Sequence, residues 1–250
     1  MTKKTILITG SSGAIGSTLG LALYTQGHTI IGIGLREVEN YWLSRFIKKD
    51  VIGINEIDIP ESIDIIYHCA GYAQTYKHLE SPLEIINTCY EGTKKVLELA
   101  KIKNCKVVFL STTLVNDVFN LNDPKHSYIA GKIAAESLCA TYNSSGLDVN
   151  IIRLNNVFGT KDYNSKFVIP TFIRDIQVGI ESKIIDGIYK NFCYIDDIID
   201  TLIDIGFKDS STLLTEMVGE SIEIKTLYNM IKTIIYAKTS MQVGLSRMIQ

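Results

Sequence analysis

Thr9-Gly10-Ser11-Ser12-Gly13-Ala14-Ile15-Gly16 is the stretch that decides how this chain is read. It follows a short apolar run, Thr5-Ile6-Leu7-Ile8-Thr9, and opens a helical pattern from Ala14 to Gln26 that stops at Gly27. An apolar run of that length ending at glycine suits a strand buried on both faces of a parallel sheet. Strand, glycine turn and helix in that order form a cradle for phosphate. Gly10 permits the tight turn, Gly13 lets the backbone approach a pyrophosphate, and Gly16 lets the helix pack on the strand. The helix start adds unpaired N–H groups and the positive end of its dipole. The cofactor contacts expected here are Gly10, Ser12, Gly13, Ala14, Ile15 and Gly16.

Working outward, the same alternation repeats. Thr29–Ile33 reads as a second strand, Val51–Ile54 as a weaker third and Ile63–Tyr67 as a fourth. A long helix is predicted from Pro82 to Lys101, with Ser81 as N-cap and proline at a tolerated first-turn position. Lys106–Leu110 is a fifth strand, Ser127–Tyr142 a helix and Val149–Leu154 a sixth strand. Strands and helices joined by short connections argue an α/β fold, a doubly wound parallel sheet. Beyond Gly159 the pattern loosens into short helices, about 167–178, 196–206 and 222–236, between short strands. The expected organisation is a dinucleotide-binding domain over 1–160, with later segments packing back on it, and a small substrate-binding cap over 161–250.

Composition narrows the partners. The 250 residues are 46% hydrophobic and 21% charged, with a net charge of −2. That is ordinary globular composition, and no basic balance points to nucleic acid. The five cysteines, Cys69, Cys89, Cys105, Cys139 and Cys193, include no Cys-x-x-Cys pair. They read as reduced thiols of a cytoplasmic protein, and no metal site is read from them. The apolar run near the N-terminus is too short for a secretion signal or a membrane span.

The end of the second strand bears on which dinucleotide is bound. A carboxylate there would hold the ribose hydroxyls of NAD, whereas this chain has Gly34-Leu35-Arg36. A missing carboxylate with a nearby guanidinium favours the 2′-phosphate of NADP. Glu37 and Glu39 stand close enough to serve the ribose of NAD instead. The cofactor is read as NADP or NAD, with NADP favoured.

Tyr128-Ile-Ala-Gly-Lys132 carries the chemistry. Tyrosine and lysine four apart share a helix face. An ammonium beside the phenol, together with a charged nicotinamide, can lower the phenol pKa from about 10 toward neutrality. The phenol then exchanges a proton with a hydroxyl or carbonyl while hydride moves. Upstream, Ser111-Thr112-Thr113 closes the fifth strand, where a hydroxyl can polarise a substrate oxygen.

Several segments together resemble one family. The Gly-x-x-Gly-x-x-Gly spacing resembles the extended branch of the short-chain dehydrogenase/reductases, and Tyr128-x-x-x-Lys132-x-x-x-Glu136 matches that branch. Asn87, Gly92-Thr93, Ile152-Arg153-Leu154-Asn155-Asn156-Val157-Phe158-Gly159, Phe167–Pro170 and Lys190-Asn-Phe192-Cys-Tyr194-Ile-Asp196-Asp197 resemble the NAD-dependent epimerase/dehydratase family in its order. The resemblance implies a Rossmann-type core, a nucleoside-diphosphate sugar as substrate and a homodimer. It implies that Thr113, Tyr128 and Lys132 are catalytic, with Ser111 and Thr112 as lesser candidates for the hydroxyl role. It implies cofactor contacts from Arg36, Asp58, Ile59, Cys69, Ala70, Gly71, Ser111, Leu154 and Val157, with His68 acting behind them. Thr113, Asn155, Asn156 and Lys190 are implied as substrate contacts.

Three departures qualify the resemblance. Lys190 stands where arginine is common, and lysine cannot make the planar two-pronged contact to a diphosphate. Leu114-Val115 replaces the acid pair that 4,6-dehydratases need for water elimination. The segment Thr239–Gln250 lacks the family's last cap elements, so the cap is expected to be shortened. The leading expectation is an epimerase or 4-ketoreductase of a nucleoside-diphosphate sugar in surface polysaccharide precursor synthesis. The alternatives are an NADP-dependent reductase of another small carbonyl and a non-catalytic dinucleotide-binding regulator.

Overall fold

The computed structural model describes residues 2–37, 40–71, 81–117, 126–159, 166–208 and 212–248, with side chains described up to residue 237. Two compact units emerge: Met1–Asn155 with Ile195–Met217, and Asn156–Tyr194 with Val218–Gln250.

The first unit is built on β1 (Thr5–Thr9), β2 (Thr29–Gly34), β3 (Arg45–Lys48), β4 (Ile65–His68), β5 (Lys106–Thr112), β6 (Val149–Leu154) and β9 (Leu214–Met217). Among the described residues these make one seven-stranded sheet in the order β3-β2-β1-β4-β5-β6-β9. Every neighbouring pair is parallel. The doubly wound sheet expected from the alternation is therefore present. Ile6, Leu7 and Ile8 are fully buried, as a central strand covered on both faces requires. Helix α1 (Ala14–Thr25) packs beside α5 (Ile195–Phe207), and α2 (Pro82–Lys103) beside α3 (His126–Ser144). The strand order reverses between β1 and β4, and that reversal opens a crevice at their carboxyl ends.

One local expectation needs correction. Val51–Ile54 is not the third strand: Val51–Gly53 is a single 3-10 turn, and Asp50 caps it by accepting from the Ile52 N–H at 3.1 Å. A capped turn satisfies locally the N–H that a strand would offer to a neighbour. The third strand is β3, whose ends Arg45 and Lys48 are exposed at the sheet edge. Charged residues at an edge hide it from hydropathy and discourage further pairing. Beyond residue 160, one segment is part of the first unit. Ile195–Met217 belongs to the first unit, because β9 pairs with β6 in register, Ile151 opposite Leu214.

The second unit holds β7 (Asn156–Phe158), α4 (Val168–Gln177), β8 (Tyr189–Tyr194), β10 (Glu220–Glu223) and α6 (Ile224–Met248). Its three-stranded sheet runs β10-β8-β7 and is mixed, with β10 antiparallel and β7 parallel to β8. Phe172, Ile176, Phe192, Ile224 and Tyr228 form its core, and the Phe172 and Tyr228 rings meet edge to face at 5.1 Å. Among the described residues, no helix is long and apolar enough to cross a membrane.

One close contact ties the late segment to the sheet. Tyr67 on β4 is fully buried and donates its hydroxyl to the Leu202 carbonyl of α5 at 3.1 Å. A Cβ on Gly206 would lie 1.9 Å from that hydroxyl. Gly206→Ala is expected to cost roughly 1–3 kcal/mol through overpacking. Urea unfolding of the variant beside the wild type measures it, and an unchanged midpoint would show that α5 does not depend on this contact.

Candidate active site

The glycine turn sits at the reversal of strand order. Gly10 directly follows β1, and its φ of +68° lies where L side chains are strained. A Cβ there would lie 2.8 Å from the Ala70 backbone nitrogen. The turn after β1 therefore packs backbone on backbone against the turn after β4. The Gly13 N–H closes the turn on the Gly10 carbonyl at 2.9 Å, and Gly13 is the N-cap of α1. A Cβ on Gly16 would come within 2.4 Å of the Gly10 carbonyl oxygen, so helix and turn meet at the distance the sequence reading required. The half-buried Ser12, Ala14 and Ile15 complete this rim. A cradle of backbone with no room for Cβ atoms, at a helix start, fits a pyrophosphate.

A hydrogen-bond chain fixes the two turns together. The Ala70 N–H donates to Thr9 Oγ1 at 3.1 Å, and Thr9 Oγ1 meets His68 Nδ1 at 2.8 Å. His68 Nε2 meets Thr93 Oγ1 at 3.1 Å, and the Thr93 hydroxyl donates to the Cys89 carbonyl of α2 at 2.6 Å. Since Thr93 spends its proton on Cys89, it accepts from His68 Nε2–H. His68 Nδ1 then accepts from Thr9. That assignment requires a neutral imidazole. Burial agrees, since it pushes the His68 pKa down to about 3, with the Lys132 charge adding to the effect. Thr9 and Thr93 escaped the sequence reading. Their signal was a hydroxyl beside each glycine-bearing motif.

The residues expected at the adenine end are placed variously. Ile59 is fully buried. The Asp58 carboxylate is occupied: it takes Lys49 Nζ at 2.7 Å and the Asn55 N–H at 2.9 Å. The hydrogen bond from Lys49 holds its pKa below the usual value. Arg36 is exposed, with a long 3.5 Å approach to the Ser12 carbonyl. Glu37 pairs with Lys48 at 3.4 Å on the surface. Glu39 lies outside the described residues.

The three hydroxyls at the end of β5 separate. Ser111 donates to Glu136 at 2.5 Å. Thr112 is 8% exposed, accepts from the Leu114 N–H at 3.3 Å and acts to lower the Tyr128 phenol pKa. Thr113, the hydroxyl expected to be catalytic, starts a 3-10 turn, Thr113–Asp117, and is half-buried. Side chains alternate along a strand, so adjacent hydroxyls must diverge, and only the placement of α3 decides which one meets the tyrosine.

Lys132 is 6% exposed and donates Nζ to the Leu110 carbonyl at 2.6 Å. Its ammonium also lies 4.6 Å from the Phe109 ring centroid. A Cβ on Gly71 would stand 3.5 Å from Nζ, so the lysine reaches the turn after β4. Burial lowers the Lys132 pKa, while the Cys89, Cys139 and Cys69 thiols and Glu136 oppose the fall. The Tyr128 phenol is pushed above its ordinary value by burial and by the Cys89 thiol, and the Thr112 bond acts in the other direction. The phenol lowering expected from the sequence is thus not what the surrounding protein groups produce. The lysine charge is directed at the Leu110 carbonyl instead.

Leu154, 5% exposed, stands opposite Thr112, and Asn155 ends the first unit's β6 segment. Cys69 donates its N–H to the Thr9 carbonyl at 3.2 Å. In the second unit, Val157 pairs with Cys193, Asn156 donates Nδ2 to the Asn191 carbonyl at 2.8 Å, and Lys190 is exposed on β8. A cavity of about 300 Å³ there is lined by Gly159, Ile169, Pro170, Ile173, Arg174 and Gln177.

Comparison with known proteins fits this geometry. The signature of the NAD dependent epimerase/dehydratase family matches residues 6–206. A UDP-N-acetyl-alpha-D-glucosaminuronate decarboxylase of Bacillus cytotoxicus is 29% identical over 232 residues, covering 80% of this chain and 70% of that protein. UDP-glucuronic acid decarboxylase 1 of Danio rerio is 26% identical over 267 residues, covering 96% of this chain and 63% of that protein. The solved UDP-N-acetylglucosamine 4-epimerase from Methanobrevibacter ruminantium M1, in complex with UDP-N-acetylmuramic acid, aligns with a TM-score of 0.82 at 27% identity. That match covers 94% of this chain and 83% of the solved one.

His68 makes a pH prediction. Its folded pKa of about 3 lies below the ordinary 6.5, so the unfolded chain binds more protons between those values. The stability it contributes is present above pH 6.5 and lost as the pH falls toward 3, at up to about 1.4 kcal/mol per pH unit. Urea unfolding of wild type and His68→Gln across that window measures this. Identical slopes for the two proteins would contradict a neutral, buried His68.

Proposed function

This chain belongs to the NAD dependent epimerase/dehydratase family, and from that premise we propose that it is an epimerase or 4-ketoreductase of a nucleoside-diphosphate sugar. The observation that carries the reading is buried Lys132, one helical turn after Tyr128, which donates to the Leu110 carbonyl at 2.6 Å and whose ammonium neighbours the Gly71 turn. The helix that carries the phenol thus brings its lysine to a turn that fits a dinucleotide.

When bound, the nicotinamide supplies the hydride acceptor or donor. The protein's own groups handle the proton. Tyr128 Oη removes it from a sugar hydroxyl, or returns it to the carbonyl oxygen. Thr112, with Thr113 next to it at the mouth of the strand, donates a hydrogen bond to that oxygen. Lys132 keeps a positive charge one helical turn from the phenol, between the Leu110 carbonyl and the Gly71 turn. Gly10, Gly13 and Gly16 would let a pyrophosphate approach the backbone at the start of α1. Asn155, Asn156 and Lys190 are assigned to the sugar nucleotide, with 1–160 and the later segment that packs back on it assigned to the dinucleotide and the rest of 161–250 to the substrate.

The relatives named above act on, or hold, UDP-linked sugars by their names, which supports a UDP-sugar as the substrate class. The product would be a modified sugar donor for polysaccharide assembly. The family description names NAD, whereas Gly34 and Arg36 suit a 2′-phosphate. Arg36 is assigned the role of sorting the two.

Tyr128→Phe removes only the ionisable oxygen. It is expected to lower turnover of a UDP-sugar panel by about 10²–10⁴-fold while leaving dinucleotide affinity within twofold or so. Parallel fluorescence titration with NADH and NADPH, on wild type and Arg36→Ala, measures both affinities. NADPH preference lost in Arg36→Ala supports the phosphate role. Equal affinities in both proteins remove it. Full turnover by Tyr128→Phe would overturn the mechanism.

A further inference from the structure

Behind the phenol and lysine stands an ion-pair cluster that the proposed chemistry does not use. Glu136 lies one helical turn after Lys132 on α3, on the same stripe. Its carboxylate accepts from Ser111 Oγ at 2.5 Å, from Arg153 Nε at 3.0 Å and from Arg153 Nη2 at 2.7 Å. Arg153 on β6 spends its remaining nitrogen, Nη1, on Glu216 of β9 at 2.7 Å and on the side-chain Oδ1 of Asn116 at 2.9 Å. Asn116 Nδ2 closes the ring on Glu216 at 3.3 Å. The side chains of Glu136 and Arg153 are 11% and 18% exposed, so the pair is largely withdrawn from water.

One guanidinium thus joins α3, the end of β5 and the turn after it, β6 and β9. Ser111 precedes Thr112 directly, and Thr112 is the β5 hydroxyl that acts on the Tyr128 phenol. Two-pronged pairing of arginine with carboxylate fixes direction as well as distance. Breaking one member of such a withdrawn pair leaves the other charge uncompensated.

We propose that Glu136, clamped by Arg153 and Ser111, is a positioning residue that sets the approach of Tyr128 to Thr112 and balances the charge around Lys132. The proposal rests on the functional reading above. Lys132 faces the Leu110 carbonyl and Phe109 ring of β5, Cys89 of α2, Cys139 and Glu136 of α3, and Cys69 with neutral His68 after β4. Among these the carboxylate of Glu136 is the negative charge, and Arg153 and Glu216 stand behind it.

The two halves of the clamp therefore act on Lys132 with opposite sign. Glu136→Gln leaves the Arg153 charge undercompensated and disfavours the ammonium, so Lys132 deprotonates at lower pH. Arg153→Met frees the Glu136 charge, so Lys132 deprotonates at higher pH. Arg153→Lys keeps the charge and loses the fork, so the midpoint holds while kcat falls about tenfold.

The test is an NMR pH titration of the full chain carrying ¹³C-labelled lysine, with the Lys132 ε-carbon assigned through Lys132→Arg. Expected midpoint shifts are about half a pH unit or more, in opposite directions for Glu136→Gln and Arg153→Met. Unmoved midpoints, or shifts of the same sign, in folded variants would overturn the proposal. Ser111→Ala, which removes no charge, provides a milder variant: it is expected to hold the midpoint and lower kcat on the UDP-sugar panel, and unchanged kcat overturns the positioning role. The titration needs no substrate. A wild type that turns over no UDP-sugar refutes the functional reading and leaves the titration to decide the clamp.

Discussion

The first unit depends on one steric constraint: the turns after β1 and β4 touch backbone to backbone, with no space for a side chain at Gly10. Two strands on either side of a strand-order reversal must bring their ends together, and only glycine with a positive φ permits that approach. The contact is held by Thr9, which serves the Ala70 N–H and the His68 ring at once. His68 passes the constraint on to Thr93 and so to α2. A buried polar chain of this kind stabilises only when every member is satisfied, and here each hydroxyl and ring nitrogen has a partner. The two turns are thus tied together by side chains set behind them.

The same economy governs the other side of the site. Lys132 is buried, which works against its charge, yet the Leu110 carbonyl and the Phe109 ring receive the ammonium. Glu136 lies one turn further along α3 and is itself tied to Arg153. Charge alternates from Lys132 to Glu136 to Arg153 to Glu216 across α3, β6 and β9. An alternating row of withdrawn charges costs least when each neighbour compensates the next.

Much of this was legible in the residues because it is local. The buried strands announced themselves as short apolar runs, the helix of α1 by its glycine start and glycine stop, and α2 by proline in its first turn. Tyr128 and Lys132 fall on one helix face by spacing alone. What failed to show was set by partners distant in sequence. Arg45–Lys48 became an edge strand although its charges hid it, and Val51–Gly53 became a turn because Asp50 could cap it. Ser111, Thr112 and Thr113 were indistinguishable as a string of hydroxyls.

What the amino-acid sequence determined by itself was the sheet, the glycine cradle and the helix that carries the phenol and the lysine. Each rests on periodicity or on backbone sterics within a few neighbouring residues. Tertiary structure alone decided that Asp58 is occupied by Lys49 and that Glu136 is clamped between Ser111 and Arg153. Those outcomes depend on which side chains converge from separate strands and helices. Convergence is a property of packing distance, which no spacing along the chain encodes.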